Sequence, residues 1–238
     1  MAYTVFISDM HLSAETPQLN QLFHQQMLLW GKEADAVYLL GDIFDVWFGD
    51  DQSPVIRGIM QDMANFSQQK PLYILHGNRD FLLGKRFMRQ TGATLLSSPA
   101  IVDLYGKSYI LTHGDELCTE DKNYQTFRRY RGVLRFLMWI IPLNIRRKIA
   151  TSVRLRSEQR KNARGYDHLS DVTENGLHSI QHNPPLDMIH GHTHRPATHQ
   201  HTFQGQAYQR FVLPDWKEAQ GGSLKIFDNG KIERDLFS

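Results

Sequence analysis

Five short apolar runs in this chain each end in a polar residue of a type that binds metal ions, and this repeated ending restricts the fold more than any other feature. Val37-Tyr38-Leu39-Leu40 leads into Gly41-Asp42-Ile43-Phe44-Asp45, and Val5-Phe6-Ile7 into Ser8-Asp9-Met10-His11. Leu72-Tyr73-Ile74-Leu75 leads into His76-Gly77-Asn78-Arg79-Asp80, and Tyr109-Ile110-Leu111 into Thr112-His113-Gly114-Asp115. Met188-Ile189 leads into His190-Gly191-His192-Thr193-His194. Apolar runs that stop at a tight turn are the pattern of strands buried on both faces. Open α/β sheets bind ligands beyond the carboxyl ends of their strands, and carboxylates placed there are not explained by core packing.

Between these runs the first half of the chain alternates strand and helix. Gln18 to Gly31 carries Leu19, Leu22, Phe23, Met27 and Trp30 at helical spacing. Pro54 to Gln69 has the same character, Gly84 to Thr91 fits a short helix, and Asp45 to Ser53 a loop. Leu95 to Asp103 and Lys107 to Thr112 read as strands. Asp121 to Ile141 lacks turn signals and reads as one helix stopped by Pro142, Asn144 to Arg164 as a second helix ended by Gly165, and Asp171 to Gln181 as a third. Phe211 to Leu213 and Leu224 to Phe227 are late strands. Alternation early and strands late imply two sheets sharing a core. The expected division is an α/β core of residues 1–119 and 166–238, interrupted at 120–165 by a helical cap.

Charge singles out that cap. The formal net charge is only +2, yet residues 128–164 hold twelve Lys or Arg against one acid, Glu158, leaving the rest of the chain at about −9. Within it, Val133 to Leu143 is dense in large apolar residues and flanked by arginines, the pattern of a segment that lies on an anionic membrane surface rather than spanning it. Packing on the body with solvated arginines, and binding of nucleic acid, are the alternatives. No apolar run approaches the roughly 20 residues that cross a bilayer. Cys118 is the single cysteine, so a reducing compartment is expected, and the strand at Tyr3 leaves no room for a signal peptide.

The side chains at the run ends define the chemistry. Asp9, His11, Asp42, Asn78, His113, His192 and His194 are seven candidate ligands, too many for one tetrahedral zinc and suited to two divalent ions sharing a carboxylate. Asp42, on a central strand, is the natural bridge. Asp9-x-His11 and His192-x-His194 are expected to put both members on one side of extended backbone.

In order and spacing, Asp9-x-His11, Gly41-Asp42-x-x-Asp45, Gly77-Asn78-Arg79-Asp80, His113 and Gly191-His192-x-His194 resemble the calcineurin-like metallophosphoesterase superfamily. The resemblance spans Ile7 to Arg195 and implies a four-layer α/β/β/α sandwich with a di-metal site on one rim. It implies one ion on Asp9, His11, Asp42 and His194 and another on Asp42, Asn78, His113 and His192, with a bridging hydroxide as nucleophile. One position departs from the pattern: Arg79 stands where the superfamily carries a histidine that can protonate a leaving group. A guanidinium clamps phosphate oxygens but cannot act as an acid near neutral pH, which favours phosphoanhydride over ester cleavage.

Phe6 to Ser13, Gly41 to Trp47, His76 to Leu82 and His190 to Arg195 are similar to one branch, the UDP-2,3-diacylglucosamine pyrophosphohydrolases of lipid A synthesis. That resemblance implies Mn2+-dependent hydrolysis to UMP and 2,3-diacylglucosamine 1-phosphate (lipid X) by attack on the α-phosphorus, at the cytoplasmic face of the inner membrane. It implies catalytic work at Asp42, Asn78, Arg79 and His113, and substrate contacts at Asn78, Arg79, Asp121, Ser157, Lys161, Arg164 and His192, to which Tyr124 is added. Arg164 replaces the branch's lysine, and the stretch from Arg164 to Asp171 carries an extra residue. The alternatives are a nuclease or nucleotide phosphodiesterase of the same superfamily, or a non-catalytic scaffold. Of the remaining polar residues, His76 and His190 are expected to orient the loops, as are Asp80 and Asp115. Asp45 could extend the site, whereas Asp50 and Asp51 fit a solvated loop. His24, His168, His178, His182, His199 and His201 are expected at the surface, and Cys118 as an apolar filler.

Overall fold

The computed structural model describes residues 1–49, 56–120, 122–146, 148–149, 152 and 171–238, apart from the side chains of Asn123 and Tyr124. The first three apolar runs form β1 (Tyr3–Ile7), β2 (Ala36–Leu39) and β3 (Leu72–Ile74), side by side and parallel, with Val5 opposite Val37 and Leu39 opposite Ile74. Period two sends alternate side chains to opposite faces. Val5, Ile7, Val37 and Leu39 therefore pack beneath α1 (Pro17–Glu33), α2 (Arg57–Ser67) and α3 (Lys85–Thr91). Phe6, Tyr38, Leu40 and Leu75 face the other way, into a second core against Tyr109, Leu111, Ile189 and Phe211.

That second core is the interface between two sheets. The first sheet is completed by β4 (Thr94–Leu95), β10 (Gly221–Phe227) and β11 (Ile232–Phe237), in the order β11-β10-β1-β2-β3-β4. The other runs β5 (Ala100–Leu104), β6 (Lys107–Leu111), β7 (Asp187–His190), β9 (Gln206–Val212) and β8 (Thr198–Phe203), with β6, β7 and β9 mutually parallel. On its outer face Ile110 and Met188 pack against Leu177 of α6 (Glu174–Ile180), whose first turn Thr173 caps by accepting from the Gly176 amide at 3.0 Å. Helices, sheet, sheet and helix make the expected four layers.

Several expected elements have different bounds. The strand read from Leu95 to Asp103 is two strands, one in each sheet, because the chain crosses from one layer to the other at Ser97-Ser98-Pro99. The single helix read from Asp121 to Ile141 is broken at Tyr130 into α4 (Lys122–Arg129) and α5 (Arg131–Ile140). Arg128 and Arg131, on either side of the break, both pair with Asp115, at 3.7 and 2.9 Å. Of the helix read from Asn144 to Arg164, residues 144–146, 148–149 and 152 are helical and the others lie outside the described residues.

Candidate metal centre

Six parallel strands, three from each sheet, deliver the polar groups to one edge: β1, β2 and β3 from the first and β6, β7 and β9 from the second. Asp9 and His11 follow β1, Asp42 follows β2, Asn78 and Arg79 follow β3, His113 follows β6, and His192 and His194 follow β7. Backbone bonds lock these endings together. Asp9 N donates to Gly41 O and His11 N to Asp42 O, each at 3.1 Å, while Gly191 N donates to His113 O at 3.0 Å.

The local backbone differs from the extended form expected for the Asp-x-His and His-x-His pairs. Asp9, His11, Asp42, His192 and His194 all have positive φ, between 50° and 67°. A non-glycine residue rarely enters that region, and such strain collects where a site over-determines the conformation. The endings of β1, β2 and β7 are thus tight left-handed turns that swing their side chains over the strand edge. Gly77 and Gly191 complete the packing, since a Cβ on Gly77 would collide with Asp42, and one on Gly191 with Asp9 and Ser8.

All seven side chains converge. Atoms of Asp9, His11 and His194 fall within 4.8 Å of one another, as do atoms of Asp9, Asp42 and His113. Asn78 Oδ1 lies 3.0 Å from His113 Nε2 and 3.2 Å from His192 Nδ1, and Asp42 Oδ1 is 3.7 Å from His113 Nε2. Asp9, Asp42 and His113 are buried at the base, whereas His11, Asn78, His192 and His194 are half-buried and open the cluster to one side. His113 Nδ1 must donate to the Leu40 carbonyl, 2.8 Å away, which leaves Nε2 turned toward the carboxylates.

Electrostatics fit cation binding. Burial alone lowers the pKa of His113, but Asp42, Asp9 and Asp115 overcome it and push it up to about 9. His194 also rises to about 9, as Asp215 and Asp9 outweigh burial. Burial likewise raises Asp9, yet His194, His113 and His11 hold its carboxyl below the usual range. His192, buried beside His113, drops to about 4. Both ring nitrogens of His11 are buried without a hydrogen bond, and Asp9 Oδ1 has the His194 ring nitrogen beside it at 3.2 Å. Orphaned polar atoms cost free energy unless something occupies the space between them. A donor set of three oxygens and four imidazoles, one of them unsatisfied at both nitrogens, fits a pair of divalent ions.

The surrounding polar groups hold the loops. Asp80 is buried and accepts from Gly77 N at 2.7 Å and Ile43 N at 2.8 Å, so it ties the β2 and β3 endings together. Burial and Asp42 raise its pKa to about 7. Arg79 donates through Nη1 to Asp45 Oδ1 at 2.6 Å, and its Nε is 3.8 Å from Asp42. His76 meets the Leu83 carbonyl at 2.8 Å. His190 is fully buried, and Arg210 donates to its Nε2 at 3.0 Å. The same arginine donates to His201 at 3.0 Å, so His201 is half-buried and bonded rather than free at the surface. His24 is exposed and paired with Asp62, His178 and His182 are exposed, His199 is half-buried, and Cys118 is buried.

Asp50, Asp51, Asp121, Ser157, Lys161, Arg164 and His168 lie outside the described residues, as does the side chain of Tyr124. One residue at the centre escaped the sequence reading. Asp215 Oδ2 is 3.3 Å from His194 Nδ1. The signal was a sixth ending of the same kind, Phe211-Val212-Leu213 running through Pro214 into Asp215.

Comparison with known proteins agrees with this geometry. A UDP-2,3-diacylglucosamine hydrolase of Chromobacterium violaceum is 43% identical over 230 residues, covering 94% of this chain and 95% of the relative. Another, from Coxiella burnetii, is 39% identical over 241 residues, covering 100% and 98%. A third, from Aeromonas hydrophila, is 44% identical over 228 residues, covering 93% of each. Residues 3–196 match the family described as calcineurin-like phosphoesterase. The chain belongs to that family, in the branch of the UDP-2,3-diacylglucosamine hydrolases.

Proposed function

We propose that this protein hydrolyses the pyrophosphate of UDP-2,3-diacylglucosamine to UMP and 2,3-diacylglucosamine 1-phosphate in lipid A biosynthesis. The convergence of the seven ligand-type side chains beside Arg79 carries this reading, with relatives of that name supplying the substrate. Two divalent ions, with Mn2+ as the expected metal, would sit on Asp9, His11, Asp42 and His194 and on Asp42, Asn78, His113 and His192, and would supply phosphate polarisation and a water-derived nucleophile at neutral pH.

The chain's own groups do the rest. Asp45 anchors one end of the Arg79 guanidinium, leaving its remaining N–H groups to grip phosphate oxygens. Because arginine keeps its proton, the leaving group must depart as an anion, which a sugar phosphate does readily and an alkoxide does not. Water attack at the α-phosphorus produces that leaving group.

The apolar helix supports delivery of an acylated substrate. No residue of α5 is buried, and Val133, Phe136, Trp139 and Ile140 are 58–82% exposed. Beside it, Lys85, Arg89 and Arg135 line a 420 Å³ groove with Met88 and Leu95. None of the three cations pairs with a carboxylate among the described residues. Exposed apolar side chains next to unpaired cations suit an anionic bilayer surface. No described helix is long and apolar enough to cross a membrane. The proposed location is peripheral, on the cytoplasmic face of the inner membrane.

Incubating the purified protein with Mn2+ and UDP-2,3-diacylglucosamine should release UMP, with slower turnover of unacylated UDP-N-acetylglucosamine. Preferred hydrolysis of the unacylated compound, or of a nucleic acid, would refute the assignment.

A further inference from the structure

We propose that Asp215 is a positioning residue for one of the two metal ions, orienting the His194 imidazole so that Nε2 faces Asp9 and His11. The inference rests on the reading of this cluster as a di-metal centre and adds a residue outside the seven ligands.

The geometry is that of a carboxylate behind a ligating histidine. His194 Nδ1 is 3.3 Å from Asp215 Oδ2, while its Nε2, on the opposite side of the ring, is 3.2 Å from Asp9 Oδ1. The His11 ring lies on the same side, its centroid 5.5 Å from that of His194. An imidazole that gives one nitrogen to a metal presents the other as an N–H donor. A carboxylate accepting that proton fixes the tautomer, holds the ring plane and makes the ligating nitrogen more basic.

His113 shows the weaker version of the same device. Its Nδ1–H donates to the neutral Leu40 carbonyl. His192 turns Nδ1 itself toward Asn78.

Asp215 is also held in place. The Asp215 side chain is 13% exposed, and the next residue, Trp216, is buried. Trp216 N donates to the Asp9 carbonyl at 3.0 Å, and its indole Nε1 donates to the Gly222 carbonyl at 3.1 Å. The segment beyond β9 therefore grips both Asp9, through its backbone, and His194, through a carboxylate. Lys217 Nζ lies 3.5 Å from the same Oδ2 of Asp215. Of the seven ligand-type side chains, the Asp215 carboxylate contacts His194 alone among the described residues. The consequence should be confined to one ion.

Mn2+ titration of the wild-type protein, Asp215→Ala and Asp215→Asn, followed by calorimetry and electron paramagnetic resonance, tests this. Wild type should bind two ions. Asp215→Ala should bind one of them about 10–100-fold more weakly, with the other affinity unchanged and Asp215→Asn intermediate. Asp235→Asn, which removes a half-buried carboxylate of β11 paired with Lys225, should leave both affinities unchanged. Equal weakening of both ions by Asp215→Ala, or two unchanged affinities, overturns this inference alone. Wild-type protein that binds no Mn2+ overturns the metal reading, and this inference with it.

Discussion

Asp42 sits at φ 51°, buried at the base of the cluster, and its Oδ1 accepts from the Arg79 backbone N–H at 2.9 Å. A carboxylate so placed can serve an ion on each oxygen. Asp42→Ala is therefore expected to abolish hydrolysis and remove both ions, checked by elemental analysis of folded protein; near-normal turnover would refute the bridging role. The proposed role of Arg79 differs, gripping substrate rather than metal. Arg79→Ala should lower turnover by about 10²- to 10³-fold with metal content intact, and Arg79→Lys should recover only part of it, since an ammonium lacks the planar fork. At Tyr38, burial and the neighbouring Tyr73 push the phenol up to about 12 from 10.0 in the unfolded chain. Above pH 10 the unfolded state releases this proton first, so stability falls as pH rises from 10 to 12. Tyr38→Phe should flatten that alkaline loss in denaturant titrations.

Among the elements, the turns after the strands and α5 have opposite requirements. The turn at Gly191 has no space for a Cβ against Ser8 and Asp9. Gly191→Ala should destabilise the fold by about 1–3 kcal/mol, read from denaturant midpoints, and reduce activity together with it. In α5 the exposed Trp139 and Phe136 contribute little to the body's packing. Replacing both with Ser should leave the melting temperature nearly unchanged while weakening co-sedimentation with phosphatidylglycerol vesicles. Unchanged vesicle binding would show that this face is not the membrane contact. Lys85→Glu with Arg89→Glu should weaken the same binding and reduce its salt dependence.

For the whole molecule, the parallel strands and their polar endings were legible because burial on both faces writes an uninterrupted apolar run that stops abruptly. β8, with alternating exposed residues Thr198, Gln200 and Thr202, and β11, with Glu233, Arg234 and Asp235, carry no such run and passed unnoticed. The crossing at Ser97-Ser98-Pro99 was invisible because β4 and β5 are close in sequence yet belong to different sheets. The helix break at Tyr130 has a tertiary partner, since Asp115 pairs with an arginine on each side, and Gly132 just beyond it is the one local sign in the sequence. Within the site, residue types and spacing revealed the ligand candidates but not the left-handed turns that aim them, and Asp215 was hidden behind Pro214. The proposed function turns on one bond, with water attacking the α-phosphorus and the sugar phosphate leaving. Hydrolysis of UDP-2,3-diacylglucosamine with Mn2+ in ¹⁸O-labelled water, read by mass spectrometry, tests it most directly. UMP carrying one ¹⁸O beside unlabelled 2,3-diacylglucosamine 1-phosphate is the expected result, and label in the sugar phosphate, or no UMP, would contradict it.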